Sequence, residues 1–434
     1  MRNEKEMMNL IIGAAQRDER IRGVYMNGSR TNGNAPRDIF QDYDIVYVVN
    51  ETASFIQDES FIDIFGERLY MQLPEKLDRM RGRETDRESC YGYLMQLADG
   101  NRIDLHLMTQ QRSLEDILHN RLCTILLDKD GVLPHIPEAS DEDHWVKRPA
   151  WEQFYACCNE FWWILNNIGK GLWRGELPYV MDMVNMHGRP QLMTMLSWYV
   201  GVRTGFSCSV GKSGKYLYKY LSEEEEQRLL QTYPQGNLEA VWQAVFIMCD
   251  LFDEIARKTA AELNYSYDEK EAHNSRLFFS CTYELPGDAK EILMVRRMQE
   301  QDVNQIARIW LEGNLYTHRF IPEEHWRENY DYVRKQLAES EVYVYEDNRG
   351  ILGFAGIDKG YIRGIFVRPE FQRQGIGKAL IYICKSKYFK MQLHVYCKNT
   401  DAVSFYMRQG FKISKKQIDE STNQYEYEMN WRKE

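Results

Sequence analysis

Near the front of the chain, three aspartates and a glycine–serine pair are spaced for phosphate chemistry. Gly28-Ser29 precedes Asp42-x-Asp44, and Asp104 follows in a separate apolar segment. Group transfer from a nucleoside triphosphate depends chiefly on positioning and on neutralising negative charge. Mg²⁺ takes hard oxygen ligands, and two carboxylates two apart on a strand share a face, so Asp42 and Asp44 are suited to hold it. Asp104 opens a second strand and closes the set from the side. Gly28-Ser29 sits in a turn where backbone N–H groups and a hydroxyl can hold terminal phosphates. Asp44 also heads the run DIVYVV. That run reads as a buried strand, where a carboxylate without a cation is costly.

A second constellation lies towards the end, in VRPEFQRQGIGKAL, residues 367–380. A strand stops at Val367, and the loop Gln372-Arg373-Gln374-Gly375-Ile376-Gly377-Lys378 opens a helix. Glycines there let backbone N–H groups approach a pyrophosphate at the positive helix end. Alone, such a loop is equally a tight turn. It is accompanied by a strand at 392–396, by Asn399 and by Tyr406, followed by Gly410-Phe411. By contrast, GKSGK at 211–215 lacks the full phosphate-loop spacing and reads either as a basic turn or as a place from which Lys212 or Lys215 reaches a triphosphate.

The front residues resemble the nucleotidyltransferase signature of Gly-Ser, a gap, Asp-x-Asp and a later carboxylate. The text around them is similar to streptomycin-type aminoglycoside 6-adenylyltransferases over residues 1–285. It includes NGSRTNGNAPRDIFQDYDIVYVV, YLMQLADGNRIDLHLM, CCNEFWWILNNIGKGLWRGELPYV and GKSGKYLYKYL. The resemblance implies Mg²⁺-dependent transfer of AMP from ATP to an aminoglycoside hydroxyl, the 6-hydroxyl of streptomycin first. It assigns Asp42, Asp44 and Asp104 to the metal, Gly28 and Ser29 to the phosphates, and Asp104 also to deprotonating the hydroxyl. The charged stretch 79–89 departs from the pattern and leaves the exact drug open.

The back residues, over 294–431, resemble the GNAT acetyltransferases, some of which modify protein lysines. The family fold splays two parallel strands around the pantetheine arm of acetyl-CoA. The resemblance implies backbone pairing of Ile365–Val367 with pantetheine, and Gln372–Lys378 on the pyrophosphate. It also implies Asn399 against the CoA arm and Tyr406 as the proton donor to the departing sulfur, with no metal. The base for the amine stays open among His318, Glu323, Glu324 and a water chain. Two other readings stand beside this one. The front part could serve a different hydroxyl metabolite, and the back part could be a non-catalytic CoA-binding module.

These residues need elements to position them, and the sequence supplies three blocks. Helix and strand alternate to about residue 145, with a helix at 4–17 and strands at 23–27, 44–49 and 102–108. Residues 146–265 carry helical spacing of apolar residues, such as Phe154, Cys157, Cys158, Phe161, Leu165 and Ile168. Residues 266–290 are polar, contain Pro286-Gly287 and read as a linker to a second alternating block at 291–434, expected to fold alone. The expected class is therefore α+β: a mixed nucleotidyltransferase sheet with a helical bundle, then an α/β GNAT domain.

Length and composition agree with several domains, at 434 residues with 44% hydrophobic and 13% aromatic. The net charge of −10 is uneven: residues 291–434 hold 23 Lys+Arg against 20 Asp+Glu, or +3, which leaves −13 in front. An acidic front suits a cationic substrate and argues against nucleic acid, while a mildly basic back suits CoA phosphates. The nine cysteines form no Cys-x-x-Cys pair, so free thiols in a reducing cytoplasm are expected. No run of about 18 apolar residues or secretory pattern occurs, so no membrane association is expected. Oligomeric state is not legible.

Overall fold

The computed structural model describes residues 1–433. They form two compact units, Met1–Lys147 with Arg203–Tyr216, and Arg148–Val202 with Leu217 to the C-terminus. Both combine sheets and helices, and the chain is of the α+β class. Among the described residues, no helix is long and apolar enough to cross a membrane.

In the first unit, the helix Glu4–Arg17 starts where Asn3 accepts from the Glu6 N–H and Glu6 reaches back to the Asn3 N–H. This reciprocal capping satisfies two otherwise unpaired donors. Its apolar stripe, Met7, Ile11 and Ala15, is fully buried, and Tyr47 donates to the Ile11 carbonyl at 2.7 Å. The strands are β1 (Ile21–Asn27), β2 (Tyr43–Val49), β3 (Arg68–Gln72), β4 (Cys90–Leu97), β5 (Arg102–Thr109) and β6 (Cys123–Asp128). They form one sheet in the order β3-β4-β5-β2-β1-β6, with β2 and β5 parallel and the other neighbours antiparallel. The register sets Asp44 opposite Asp104 on one side and opposite Asn27 on the other. The turn at Gly28 is thereby brought beside the Asp44 carboxylate. Segment 203–216, which contains GKSGK, belongs to this unit and forms a turn with positive φ at Gly211, Ser213 and Gly214.

The second unit begins with the helices Trp151–Arg174 and Leu238–Leu263, locked by Phe161 stacked on Phe252 at 3.7 Å. The segment expected to be a linker is instead a helix, Glu269–Glu284. Its polar composition hides a buried face of Ala272, Leu277, Phe279 and Cys281. A side chain at Gly169 would crowd Phe279, so glycine there permits the close approach of this helix to Trp151–Arg174. Ser275 donates to the Trp162 carbonyl at 2.5 Å. The same helix reaches a second sheet: Glu284 pairs with Lys387 at 2.8 Å and His273 lies 3.2 Å from Glu346. Glu346 is buried and takes Arg296 Nε at 2.7 Å, while Arg296 also pairs with buried Asp302 at 2.7 Å.

That sheet contains β7 (Val295–Arg297), β8 (Glu341–Asp347), β9 (Gly350–Asp358), β10 (Tyr361–Val367), β11 (Lys390–Tyr396), β12 (Lys412–Asp419) and β13 (Gln424–Arg432). The order is β12-β13-β11-β10-β9-β8-β7. β10 and β11 run parallel but pair only at Tyr361–Gln392 and Ile362–Leu393, then separate. Helix Ile376–Lys387 covers one face and helix Val303–Thr317 the other.

Candidate active sites

At the front site, Gly28 has φ +78° and a Cβ there would collide with the Asp44 carboxylate, so glycine is required for this approach. Thr31 Oγ1 donates to the Gly28 carbonyl at 2.8 Å, and Gln41 Nε2 donates to the Ser29 carbonyl at 3.3 Å. Asp42 lies just before the first residue of β2, and Asp44 lies within it. Burial, then the nearby Asp104 and Asp42, push the Asp44 carboxyl up to about 6. Burial also raises Asp42, opposed by Arg102 and reinforced by Asp104. Arg102 donates to both Asp104 oxygens at 2.8 Å and lies 3.7 Å from Asp42. Arg30, itself buried, donates to the Asp42 carbonyl at 2.9 Å and lies over the Tyr43 ring. A cavity of about 470 Å³ opens beside Gly28 and Asp44, lined also by Asn27, His106, His119 and His144.

The donor set fits a hard divalent cation: three carboxylates, one of them half-buried and raised by that burial and then by its neighbours' charge. Among the described residues, however, no three such side chains converge on one point as they stand. The Arg102 guanidinium lies between Asp42 and Asp104 as their counter-charge.

At the back site, Arg373 and Gly375 have φ +60° and +89°, and Gly375 caps helix Ile376–Lys387. Gln372 Nε2 donates to the Val367 carbonyl at 3.2 Å, while Gln372, Arg373, Gln374 and Lys378 are exposed. A side chain at Gly377 would press on Phe405. The loop therefore presents backbone N–H groups and cations at a helix N-terminus beside the parting of β10 and β11. Tyr406 lies on helix Thr400–Arg408, 7% exposed, between Phe405 and Phe411. Burial pushes its phenol well above the ordinary range, opposed by a hydrogen bond from the Ile365 backbone. Its hydroxyl thus stays protonated at the strand where β10 and β11 separate.

Residues 1–281 match the family described as streptomycin adenylyltransferase. The chain belongs to that family. Residues 338–413 match the GNAT acetyltransferase domain family. The chain is 37% identical to an aminoglycoside 6-adenylyltransferase of Bacillus subtilis over 62% of its length and 94% of that protein. It is 37% identical to the peptidyl-lysine N-acetyltransferase YiaC of Escherichia coli over 28% of its length and 84% of that protein. A crystal structure of an aminoglycoside 6-adenyltransferase from Bacillus subtilis covers 65% of this chain and 99% of its own, with 31% identity and a TM-score of 0.33. This streptomycin adenylyltransferase family member is therefore an enzyme with an adenylyltransferase region and a GNAT acetyltransferase domain.

In the adenylyltransferase region, Gly28 approaches the Asp44 carboxylate, Asp44 stands in register with Asp104, and Arg102 lies between Asp104 and Asp42. In the acetyltransferase domain, Ile365 and Val367 lie on β10 beyond its last pair with β11, Gln372 reaches the Val367 carbonyl, and Tyr406 meets the Ile365 backbone. Asn399 caps the Tyr406 helix by accepting from the Ala402 N–H at 3.1 Å, and its amide nitrogen meets His318 Nε2 at 3.0 Å. Sequence reasoning did not single out Arg102, although it stands two residues before Asp104 on an exposed strand face. Nor did it anticipate the His318–Asn399 pair, whose members lie 81 residues apart.

Proposed function

We propose that the chain is a bifunctional transferase. Its front site transfers AMP from ATP to an aminoglycoside hydroxyl, most directly the 6-hydroxyl of streptomycin, and its back site acetylates a primary amine from acetyl-CoA. The observation that carries the first activity is Asp44 set opposite Asp104 beside Gly28, with its carboxyl at about 6. Asp42, Asp44 and Asp104 would hold Mg²⁺, which when bound neutralises the triphosphate. Gly28 and Ser29 hold the phosphates. The acceptor hydroxyl oxygen bonds to the α-phosphorus, the bond to the β-phosphate oxygen breaks, and pyrophosphate leaves. The hydroxyl proton passes to Asp104.

At the back site, the neutral amine attacks the thioester carbonyl, the carbon–sulfur bond breaks, and the Tyr406 hydroxyl protonates the sulfur, while the proton that the amine nitrogen gives up passes to water, which in turn reprotonates Tyr406. Ile365–Val367 pair with the pantetheine arm and the Gln372–Lys378 loop holds the pyrophosphate. The kinship with a peptidyl-lysine acetyltransferase favours a second reading of the acceptor, a protein lysine in place of the drug's own amine. Nine free cysteines, with ATP and acetyl-CoA as co-substrates, suit the cytoplasm.

The test follows pyrophosphate release with ATP, Mg²⁺ and streptomycin, and thiol release from acetyl-CoA with aminoglycosides, polyamines and lysine peptides. Chelation by EDTA should stop the first and spare the second. No pyrophosphate release with any aminoglycoside would return the front site to another hydroxyl metabolite. No thiol release despite acetyl-CoA binding would make the back part a binding module.

A further inference from the structure

His318 follows helix Val303–Thr317, and its ring lies against Trp326, Phe320 and Tyr396 at 5.2–5.7 Å between centroids. It joins a chain of hydrogen bonds that can run only one way. At one end, the Ala402 N–H is a donor, so Asn399 Oδ1 accepts there and Asn399 Nδ2 faces His318 Nε2. An amide nitrogen only donates, so Nε2 must carry the lone pair. At the other end, the Trp310 carbonyl accepts from Asn314 Nδ2 at 2.9 Å, which leaves Asn314 Oδ1 facing His318 Nδ1 at 2.8 Å. That oxygen only accepts, so Nδ1 must carry the hydrogen. Both ends fix the same tautomer independently. Asn314 is 2% exposed, so its amide has no room to exchange this arrangement for water. An imidazolium would set an N–H on Nε2 against the Asn399 NH₂, donor against donor. Burial acts in the same direction and lowers His318 to about 4.

We infer that His318 is a positioning residue of the acetyl-CoA site, a neutral Nδ1–H imidazole whose Nε2 lone pair orients the Asn399 amide and the start of the Tyr406 helix, and that it is not the base that deprotonates the acceptor amine. The inference rests on the reading of Asn399 and Tyr406 as residues of that site. Asn399 has its oxygen on the helix N-terminus and its nitrogen on His318, so the helix that carries the proton donor is held at its first turn from outside. The only nitrogen of His318 able to take a proton faces a donor, which leaves it no path to the amine.

The decisive measurement is the imidazole ¹⁵N spectrum of the full chain labelled at histidine, with the His318 signals assigned by their loss in His318→Gln. The Nδ1–H neutral pattern should persist from about pH 8 down to about pH 5.5, well below where a free imidazole protonates. An Nε2–H pattern, or titration near the ordinary histidine value, overturns the inference. This readout needs no acetyl-CoA. Calorimetry with acetyl-CoA adds a second test. His318→Phe keeps a flat ring without an acceptor and should weaken binding about tenfold, the effect of one unmade hydrogen bond. His318→Gln restores an acceptor oxygen and should stay within about threefold of the parent. Parent-like binding by His318→Phe, or equal weakening in both variants, overturns the positioning role. Thiol release by His318→Gln should keep the parent's acidic pH limb, and loss of that limb would make His318 the base. Failure of the parent chain itself to bind acetyl-CoA would instead overturn the acetyltransferase reading.

Discussion

The front site crowds three carboxylates around a glycine turn, with Arg102 as their principal counter-charge. At the back site the atoms around the proton donor are neutral, a buried phenol, two amides and an imidazole held uncharged, and charge is carried by the Arg373 and Lys378 side chains of the exposed loop. The front arrangement sets like charges close enough that burial and its neighbours raise the Asp44 carboxyl to about 6. The back arrangement is finished as it stands. Charge crowding suits a reaction that must gather a polyanionic triphosphate, whereas neutral directional bonds suit one that must deliver a single proton to a leaving sulfur.

The contrast is broken most severely at Asp44. Asp44→Asn should reduce AMP transfer by about 10³-fold, as several kcal/mol of charge stabilisation are lost, and leave acetyl-CoA thiol release unchanged. The same substitution should stabilise the metal-free protein. The Asp44 carboxyl is held at about 6 in the fold against an ordinary 3.8. A raised acid contributes its stability below the unfolded value and loses it as pH rises through the folded one. In EDTA the variant should therefore melt higher than the parent above about pH 6 and match it below about pH 4. An unchanged Tm at neutral pH would show that Arg102 already balances the cluster.

Next in size is Tyr406→Phe, which should slow thiol release by at least about 10²-fold and leave pyrophosphate release intact. Undiminished turnover would leave the ring a packing role only. Smaller again is the effect of the helix Glu269–Glu284 on the second sheet. A fragment that starts at residue 291 should melt below one that starts at residue 266. It loses the cover over Glu346 and the Lys387–Glu284 pair, and buried charges cut off from partners are destabilising. Equal Tm values would restore the expectation of an independent domain.

Local signals were legible because they rest on local physics. The apolar spacing of Met7, Leu10, Ile11 and Ala14 announces the first helix, and Gly375 with Gly377 announces a helix opening beside a phosphate. The grouping of Asp42 and Asp44 needs only strand periodicity. What was not legible depends on distance. The opposition of Asp44 and Asp104 comes from parallel pairing of strands that are not consecutive, and the His318–Asn399 bond spans 81 residues. The helix Glu269–Glu284 was hidden by its charged residues, since its buried positions follow two neighbours at once and leave no clean stripe.

That helix also bears on how the chain can be divided. The streptomycin adenylyltransferase match ends at residue 281, inside a helix whose last residue, Glu284, holds a lysine of the acetyltransferase domain. The two parts are therefore not separable cassettes. An acetyltransferase domain moved to another host, or exchanged for a relative, would have to bring residues 269–284 with it or find a substitute for their buried face. Along this one helix, Phe279 packs on Trp242 and Phe246 of the bundle while Glu284 pairs with Lys387, so its residues answer to both neighbours. A change that unfolds this helix should therefore be felt both in the helices it packs on and in the second sheet.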